Sequence, residues 1–460
     1  MKVKLPVLVV KVLETLEAAG FEAYVVGGAV RDLLTKTKVV DWDFTSNAKP
    51  EEILKLFKEA FYDNRFGTVG VAEKHLEEQL RAKGTSGDVY EITTYRTESE
   101  YTDNRRPDKV SWGKSLLKDL KRRDFTINAM ALRQTRGKLE MVDPFKGEQD
   151  LKDKLIRAVG DSNKRFEEDG LRMMRAIRIA AQLGFTIEDK TLKAISKNAK
   201  LIKNISKERV RDELLKIIGS SYPKDGVLML YSSGLLKFIL PELIETRGVN
   251  QAGHHTKDVW NHSLDALAAC QSPDPIIRLA TLLHDVAKPR VNKDLGPGKE
   301  ITFYNHEVMG ARMVKEIARR LKMANKDVDM LWLLVRWHMF SYDPKMTDKA
   351  VRRFMRRVGK ENIDKMMILR IGDRIGGGSK ATSWRLRELR ERIGQLMYAP
   401  FQVSDLKVDG HDVMKILNIK SGPKVGKVLN QLFDEVMEDA KKNDREYLLK
   451  QIRLYHTSKV

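Results

Sequence analysis

One cysteine, Cys270, stands in 460 residues. Its isolation excludes a disulfide framework and any cysteine-rich zinc module, and it fits a reducing cytoplasm. No run of 18 apolar residues occurs, so no membrane span is expected. The stretch from Met1 to Leu16 is apolar only in short pieces broken by Lys2, Lys4 and Lys11, which is not the pattern of a secretory signal. Internal repeats and low-complexity tracts are missing as well. Acidic side chains are in deficit: 64 Asp and Glu face 85 Lys and Arg, a net charge of +21. Such an excess points to a polyanionic partner. The basic runs lack the broad apolar face of an interfacial helix, so RNA is expected rather than a membrane, and no DNA. Apolar residues at 42% supply real cores, and the length suggests roughly three or four domains.

The first 140 or so residues mix strand and helix signals. Ala23–Val26, Asp43–Thr45 and Val89–Thr93 read as strands, and Val30–Leu34 as the start of a helix. From Arg96 to Val110 runs one long polar loop, a kind usually functional in a compact domain. Beyond Gly147 strand signals nearly vanish and apolar residues recur at helical spacing. The expected fold class is α+β: a mixed-sheet head at 1–140, a helical neck at 141–205, a helical body segment at 206–250, a histidine-rich helical domain at 251–390, and a basic helical tail at 391–460.

In Val26-Gly27-Gly28-Ala29-Val30-Arg31-Asp32, two glycines join a strand to a helix. Glycines there let backbone N–H groups approach phosphate oxygens at a helix N-terminus, although a plain tight turn would use them too. Asp41-Trp42-Asp43 follows about a dozen residues on. In a strand, residues two apart share a face at about 7 Å between Cα atoms. Two convergent carboxylates suit Mg²⁺ and a triphosphate, whereas alone they are also common on surfaces. Glu91 is either a third carboxylate or an ordinary solvent-facing strand residue.

Taken in order, these residues resemble the polymerase-beta-type nucleotidyltransferases, and within them the class II tRNA nucleotidyltransferase/poly(A) polymerase family, bacterial type with a C-terminal HD domain. Arg122-Arg123-Asp124-Phe125-Thr126-Ile127-Asn128-Ala129-Met130 is similar to the family's second motif, associated with ribose and phosphate contacts. The resemblance implies a polymerase-beta-like head in which Asp41, Asp43 and Glu91 are catalytic, with Mg²⁺ on Asp41 and Asp43. It implies nucleotide contacts from Gly28, Arg31, Arg123, Asp124 and Asn128. It further implies that Asp169 and Arg172, in Glu168-Asp169-Gly170-Leu171-Arg172, read the incoming base, and that Arg175 and Arg178 face the triphosphate.

The spacing of Asp169, Arg172, Arg175 and Arg178 by three predicts one polar ridge on a helix, beside an apolar stripe of Leu171, Met174, Ile177 and Ala181. A solvated face with local ion pairs has the same spacing. The chemistry suits the sharper role. Cytosine and adenine each present an amine donor beside a ring-nitrogen acceptor, which a carboxylate and a guanidinium complement. Uracil and guanine present the reverse polarity and would leave both groups unpaired. The family usually has proline where Gly170 stands, a departure that removes no functional atom.

Six of the nine histidines fall between His254 and His338. His262, His284, Asp285 and Asp373 have the order and types of an HD metal-dependent phosphohydrolase. Imidazoles and carboxylates suit Mn²⁺, Ni²⁺, Fe²⁺ or Zn²⁺. His306 and His338 either complete a second metal site or are helix-face residues. His254, His255 and His411 read as loop, turn or cap residues. The Gly422-Pro423 break with Lys420, Lys424 and Lys427, and the runs Arg352-Arg353, Arg356-Arg357 and Arg385 to Arg392, form a basic footprint for an RNA backbone.

The function expected from the resemblance is template-independent addition or repair of the tRNA 3′-terminal CCA from CTP and ATP, in the cytoplasm. Possible HD partners in that role are phosphatase and 2′,3′-cyclic phosphodiesterase activities on RNA ends. The rivals are a CC-adding enzyme, a poly(A) polymerase, an HD phosphohydrolase whose head only binds RNA, and a non-enzymatic RNA-binding protein. The polar loop sits where the family's flexible loop is linked to the switch from C to A, which argues against CC-only addition. Oligomeric state is open.

Overall fold

The computed structural model describes residues 4–58, 60–63, 67–74, 77, 89–99, 109–135, 137–251, 257–292, 302–397 and 403–457. Two compact units divide the chain, Met1–Pro241 and Glu242–Val460. Mixed sheet and many helices make the fold α+β, as expected from the sequence.

Unit 1 begins with the helix Val7–Ala18, whose Leu8, Val9, Val12, Leu13 and Leu16 are buried. The strands are β1 Ala23–Val26, β2 Asp43–Ser46, β3 Phe61–Asp63, β4 Thr68–Ala72, β5 Val89–Thr94, β6 Arg96–Ser99, β7 Lys109–Trp112, β8 Ala131–Thr135 and β9 Lys138–Val142. Seven of them form one sheet in the order β3-β4-β5-β2-β1-β8-β9. β1 is an interior strand, and all four of its side chains are buried, as an apolar run between two covered faces should be. β5 alternates instead: Tyr90 and Ile92 are buried while Val89 and Glu91 are exposed. Among the sheet's pairings β2 with β5 is the parallel one, and it sets Asp43 beside Glu91.

Two local expectations need correction. The stretch from Arg96 to Val110 is not one loop, because its ends pair as the antiparallel ribbon β6–β7, with Arg96 opposite Trp112 and Glu98 opposite Val110. Residues 100–108, the rest of that stretch, lie outside the described residues, as do His254 and His255. The second correction concerns Asp41. β2 starts at Asp43, so Asp41 approaches from the loop before the strand rather than from within it.

After the sheet, helices dominate. Only a two-residue parallel ladder, Leu155–Ile156 with Thr186–Ile187, interrupts them in unit 1. The helix Leu171–Leu183 buries Leu171, Met174, Ile177 and Ala181, and Gly184 ends it in the left-handed conformation. It packs against Lys207–Ile218 and Pro223–Ser232.

Unit 2 has no strand among its described residues. Asp258 caps the helix Val259–Ala269 by accepting from the Asn261 N–H, and Asp274 with Pro275 starts the helix Pro275–Leu283. The helices His306–Arg320, Asn325–Trp337, Asp348–Val358, Ile363–Gly376 and Trp384–Leu396 follow. Towards the C-terminus, Val413, Leu432, Phe433, Leu448 and Ile452 hold Gly410–Leu417, Pro423–Glu438 and Arg445–Thr457 around a core of their own.

Candidate active sites

The turn from β1 into the helix Gly28–Thr35 places Gly27 at φ +73°. A Cβ there would meet Asp43 Oδ2 at 3.2 Å and Arg123 Nη1 at 3.3 Å, so glycine is what lets this backbone lie against both charged groups. Asp43 is half-buried. Burial, together with the carboxylates of Glu91 and Asp41, pushes its acid up to about 6, and Arg123 and Arg175 pull the other way. Asp41 and Glu91 thus act on Asp43 through their charge, but the three carboxylates are not gathered closely enough in this structure to form a metal-ligand group.

Asp43 lines a cleft of about 290 Å³ whose other walls include Gly27, Gly28, Arg123, Asp124, Asn128, Asp169, Arg172 and Arg175. The structure thus gathers most of the sequence-predicted head and neck residues around one space, but neither Asp41 nor Glu91 lines it. Arg31 does not line it. Its guanidinium binds Asp32 and donates to Asn128 Oδ1 at 3.0 Å, tying the helix Gly28–Thr35 to the Thr126–Asn128 turn. Arg178 is also off the cleft, in an ion pair with the buried Glu213 at 3.3 Å.

Asp124 proves to be an organiser. Its Oδ1 accepts from Phe125 N and Asn128 Nδ2, and its Oδ2 accepts from Arg175 Nε at 2.8 Å. Burial alone would raise its acid, but Arg175 and these donors hold it down at about 2. Arg122 and Arg123 are anchored similarly on the buried Asp119, at 2.9 and 3.3 Å.

Asp169 and Arg172 are not bonded to each other in this way. Asp169 Oδ2 accepts from Arg209 Nη2 at 2.7 Å, and Oδ1 accepts from the Leu171 N–H. Arg172 Nη1 donates to Glu168 Oε2 at 2.5 Å, and its Nη2 donates to the Arg122 carbonyl at 3.3 Å. The expected continuous ridge is therefore broken: Asp169 has extended backbone after the helix Ser162–Glu168, and the next helix begins at Leu171. Gly170 bridges them at φ −58°, a value proline also adopts, and a Cβ there would lie 3.3 Å from the Leu201 carbonyl. Sequence reasoning missed the anchors. Asp119 sits three and four residues before Arg122 and Arg123, a readable helical spacing, but Arg209 lies 40 residues from Asp169 and carries no local signal.

In unit 2 all six predicted ligands converge. His262 Nε2 faces His284 Nε2 at 3.1 Å and Asp373 Oδ1 at 3.2 Å. His306 Nε2 faces His338 Nε2 at 3.3 Å. Asp285 stands between the pairs, Oδ2 at 3.2 Å from His284 and Oδ1 at 3.3 Å from His306. Two groups with metal-ligand geometry result, His262-His284-Asp373 and Asp285-His306-His338. The Nδ1 atoms of His284, His306 and His338 lie 2.7–2.8 Å from the carbonyls of Thr281, Phe303 and Val335. A carbonyl can only accept, so each Nδ1 carries the proton and each Nε2 turns a lone pair inward. Facing lone pairs and buried carboxylates call for cations. Burial opposes charge on His284, while Asp285 and Asp373 favour it, and the same carboxylates would draw a cation into the site. The donor set fits two transition-metal ions. A cleft of about 720 Å³ opens over these residues, and Lys288 and Arg370 line it. Lys288 Nζ reaches Asp285 Oδ2, and Arg370 Nη1 reaches Asp373 Oδ2, each at 2.7 Å.

Three family models match the chain in order: the poly A polymerase head domain at residues 23–157, a probable RNA and SrmB-binding site of polymerase A at 184–246, and the HD domain at 253–376. A CCA-adding enzyme of Levilactobacillus brevis is 32% identical over 445 residues, which covers 95% of this chain and 95% of that protein. Another, from Lactobacillus helveticus, is 51% identical over 218 residues, 46% of this chain and 51% of the relative. The crystal structure of the Bacillus stearothermophilus CCA-adding enzyme in complex with CTP is similar with a TM-score of 0.72 at 26% identity, over 98% of this chain and 97% of that one.

Proposed function

The chain belongs to the CCA-adding enzyme family, and from that premise we propose that it adds or repairs the tRNA 3′-terminal CCA with CTP and ATP, without a nucleic-acid template. It is a nucleotidyltransferase. In each cycle the tRNA 3′-oxygen forms a bond to the α-phosphorus, the bond to the β-phosphate bridge breaks, and diphosphate leaves. Asp41, Asp43 and Glu91 would hold Mg²⁺, which when bound neutralises the triphosphate and eases attack at phosphorus. Around it, Gly27 and Gly28 bring backbone close to the phosphates, and Arg123 and Arg175 supply positive charge on anchors that fix their direction. Arg31 and Asn128 hold the helix Gly28–Thr35 against this wall.

The observation that carries the reading is the independent anchoring of Asp169 and Arg172 on one wall of the Asp43 cleft. Because Arg209, itself in the cleft wall, and Glu168 hold them separately, neither needs the other. Asp169 keeps lone pairs for an exocyclic amine, and Arg172 keeps N–H donors for a ring nitrogen. That combination accepts cytosine and adenine. A base of reversed polarity leaves a buried donor and acceptor unmet, at about 1–3 kcal/mol each. The test is competition among the four nucleoside triphosphates on a tRNA transcript lacking CCA. Arg172→Ala and Asp169→Asn are expected to raise UTP and GTP use relative to CTP and ATP about 10–100-fold. Loss of all incorporation with unchanged selectivity would contradict a base-reading role.

Within this reading the head at 1–140 and neck at 141–205 perform transfer. The segments at 206–250 and 391–460 serve the tRNA, the latter through Lys420, Lys424 and Lys427 on its phosphates. No helix of the described residues is long and apolar enough to cross a membrane, and the working compartment is the cytoplasm. A second activity is favoured by the six converging ligands at 251–390: phosphoester hydrolysis at RNA 3′ ends, including 2′,3′-cyclic phosphates. His262, His284, Asp285, Asp373, His306 and His338 would hold two ions such as Mn²⁺ or Ni²⁺, which when bound make water nucleophilic at neutral pH. Lys288 and Arg370 would receive the phosphate.

A further inference from the structure

Beside the ligand cluster of unit 2 lies a second cavity of about 420 Å³ that neither activity above employs. It shares Glu307 and Met339 with the cleft over the cluster. Its walls are aromatic and cationic together. The rings of Phe340 and Phe354 lie 4.6 Å apart, and Trp337 carries Arg336 at 4.2 Å and Arg357 at 5.1 Å over its ring. All three rings are only half-buried, and Met339 is 57% exposed. Single exposed apolar residues are ordinary on a surface. Three such rings around one cavity, among arginines, are a different arrangement. Glu307, the acid in the cavity wall, already pairs with Arg336 at 3.6 Å, so the cavity is left net positive.

One guanidinium joins the two spaces. Arg370 lies 5.6 Å over the Phe340 ring while its Nη1 bonds the ligand Asp373. His338, another ligand, is flanked in sequence by Trp337 and Met339. A phosphate over the cluster and a planar ring laid against the Phe340–Phe354 pair would therefore be separated by little more than the group that sits beside both.

We propose that this cavity is a nucleobase subsite, so that the substrate of the cluster is the terminal nucleotide of a single-stranded RNA end. The inference rests on the phosphohydrolase reading of the cluster and names its substrate class. The base stacks against the Phe340–Phe354 pair, a contact open to every base because each has a π-face. Arg336 and Arg357 meet the preceding phosphate, and Arg370 and Lys288 meet the terminal one. Hydrolysis of a 2′,3′-cyclic end then forms one bond from water oxygen to phosphorus and breaks one ring P–O bond, the proton passing to the released ribose oxygen. An ester without a base leaves the cavity unfilled and is a poor substrate.

The test uses the full chain and a pentanucleotide ending in 4-thiouridine 2′,3′-cyclic phosphate. Irradiation in EDTA followed by peptide mapping should place cross-links within residues 336–354, in the Asp169→Ala variant as in the wild type. Phe354→Leu should reduce them about tenfold, the weight of one base–aromatic stack, and Phe354→Tyr should restore them. With Mn²⁺ added, the wild type should prefer the pentanucleotide to glycerol 1,2-cyclic phosphate, and Phe354→Leu should raise KM for the pentanucleotide about tenfold and narrow that preference. Equal kcat/KM for both esters with no cross-link in 336–354 overturns the base subsite while leaving the hydrolase, and makes the cavity a docking place for another macromolecule. Hydrolysis of neither ester by the metal-loaded wild type overturns the hydrolase reading and the substrate assignment with it.

Discussion

Asp124 and Arg175 show how a charge on the cleft wall is held in place by a buried neighbour. The carboxyl of Asp124 is held at about 2 against the effect of its own burial, chiefly by Arg175. Because that value lies below the ordinary 3.8, the ion pair stabilises the folded chain fully above about pH 4 and is lost as pH falls towards 2. The shift corresponds to about 2 kcal/mol. Asp124→Asn is expected to lower stability by about that amount at neutral pH and to flatten the fall in Tm between pH 5 and 3. Thermal melts across that range check it; a variant that keeps the wild-type slope would contradict it. At this scale much was legible. Asp43, Asp169 and Arg172 carry their chemistry in residue type and spacing. Arg209 and Glu213 do not, since only the packing of Lys207–Ile218 on Leu171–Leu183 brings them to Asp169 and Arg178.

Elements decide how those residues meet. The parallel register of β2 and β5 brings Glu91 beside Asp43, a pairing that β5's alternation alone could not disclose because its partner strand lies about 45 residues away. Polar composition hid the β6–β7 ribbon, whose backbone ladder needs no apolar face. The break at Asp169-Gly170 was hidden by a charge spacing that reads as one unbroken helix. Gly27 was legible as a turn, and its closeness to Asp43 and Arg123 was not. At φ +73°, with charged atoms 3.2 and 3.3 Å from the Cβ position, alanine is strained and displaces both groups. Gly27→Ala is expected to cost about 1–3 kcal/mol of stability and to lower nucleotide incorporation far more than the lost fold explains. Incorporation measured well below the Tm of the variant decides it, and wild-type rates there would show the close approach to be idle.

For the whole molecule there is an excess of 21 positive charges, whereas among the described residues both groups with metal-ligand geometry lie in the second unit. Asp285→Asn removes the carboxylate that lies between the two histidine pairs. It is expected to abolish Mn²⁺-dependent hydrolysis of RNA cyclic phosphates while CCA addition continues, and paired assays on one preparation read both. Loss of both activities together would show that the clusters are not separate engines. The order of head, neck and histidine-rich domain could be read from motifs, but the division at Pro241 and Glu242 depends on packing. The most direct measurement is labelled CTP and ATP incorporation into a tRNA transcript lacking CCA, with Mg²⁺, for the wild type and Asp41→Ala/Asp43→Ala side by side. Two cytidines and one adenosine per tRNA are expected, falling about a thousandfold or more in the variant. Long adenosine tails without cytidine, or undiminished addition by the variant, would contradict the assignment.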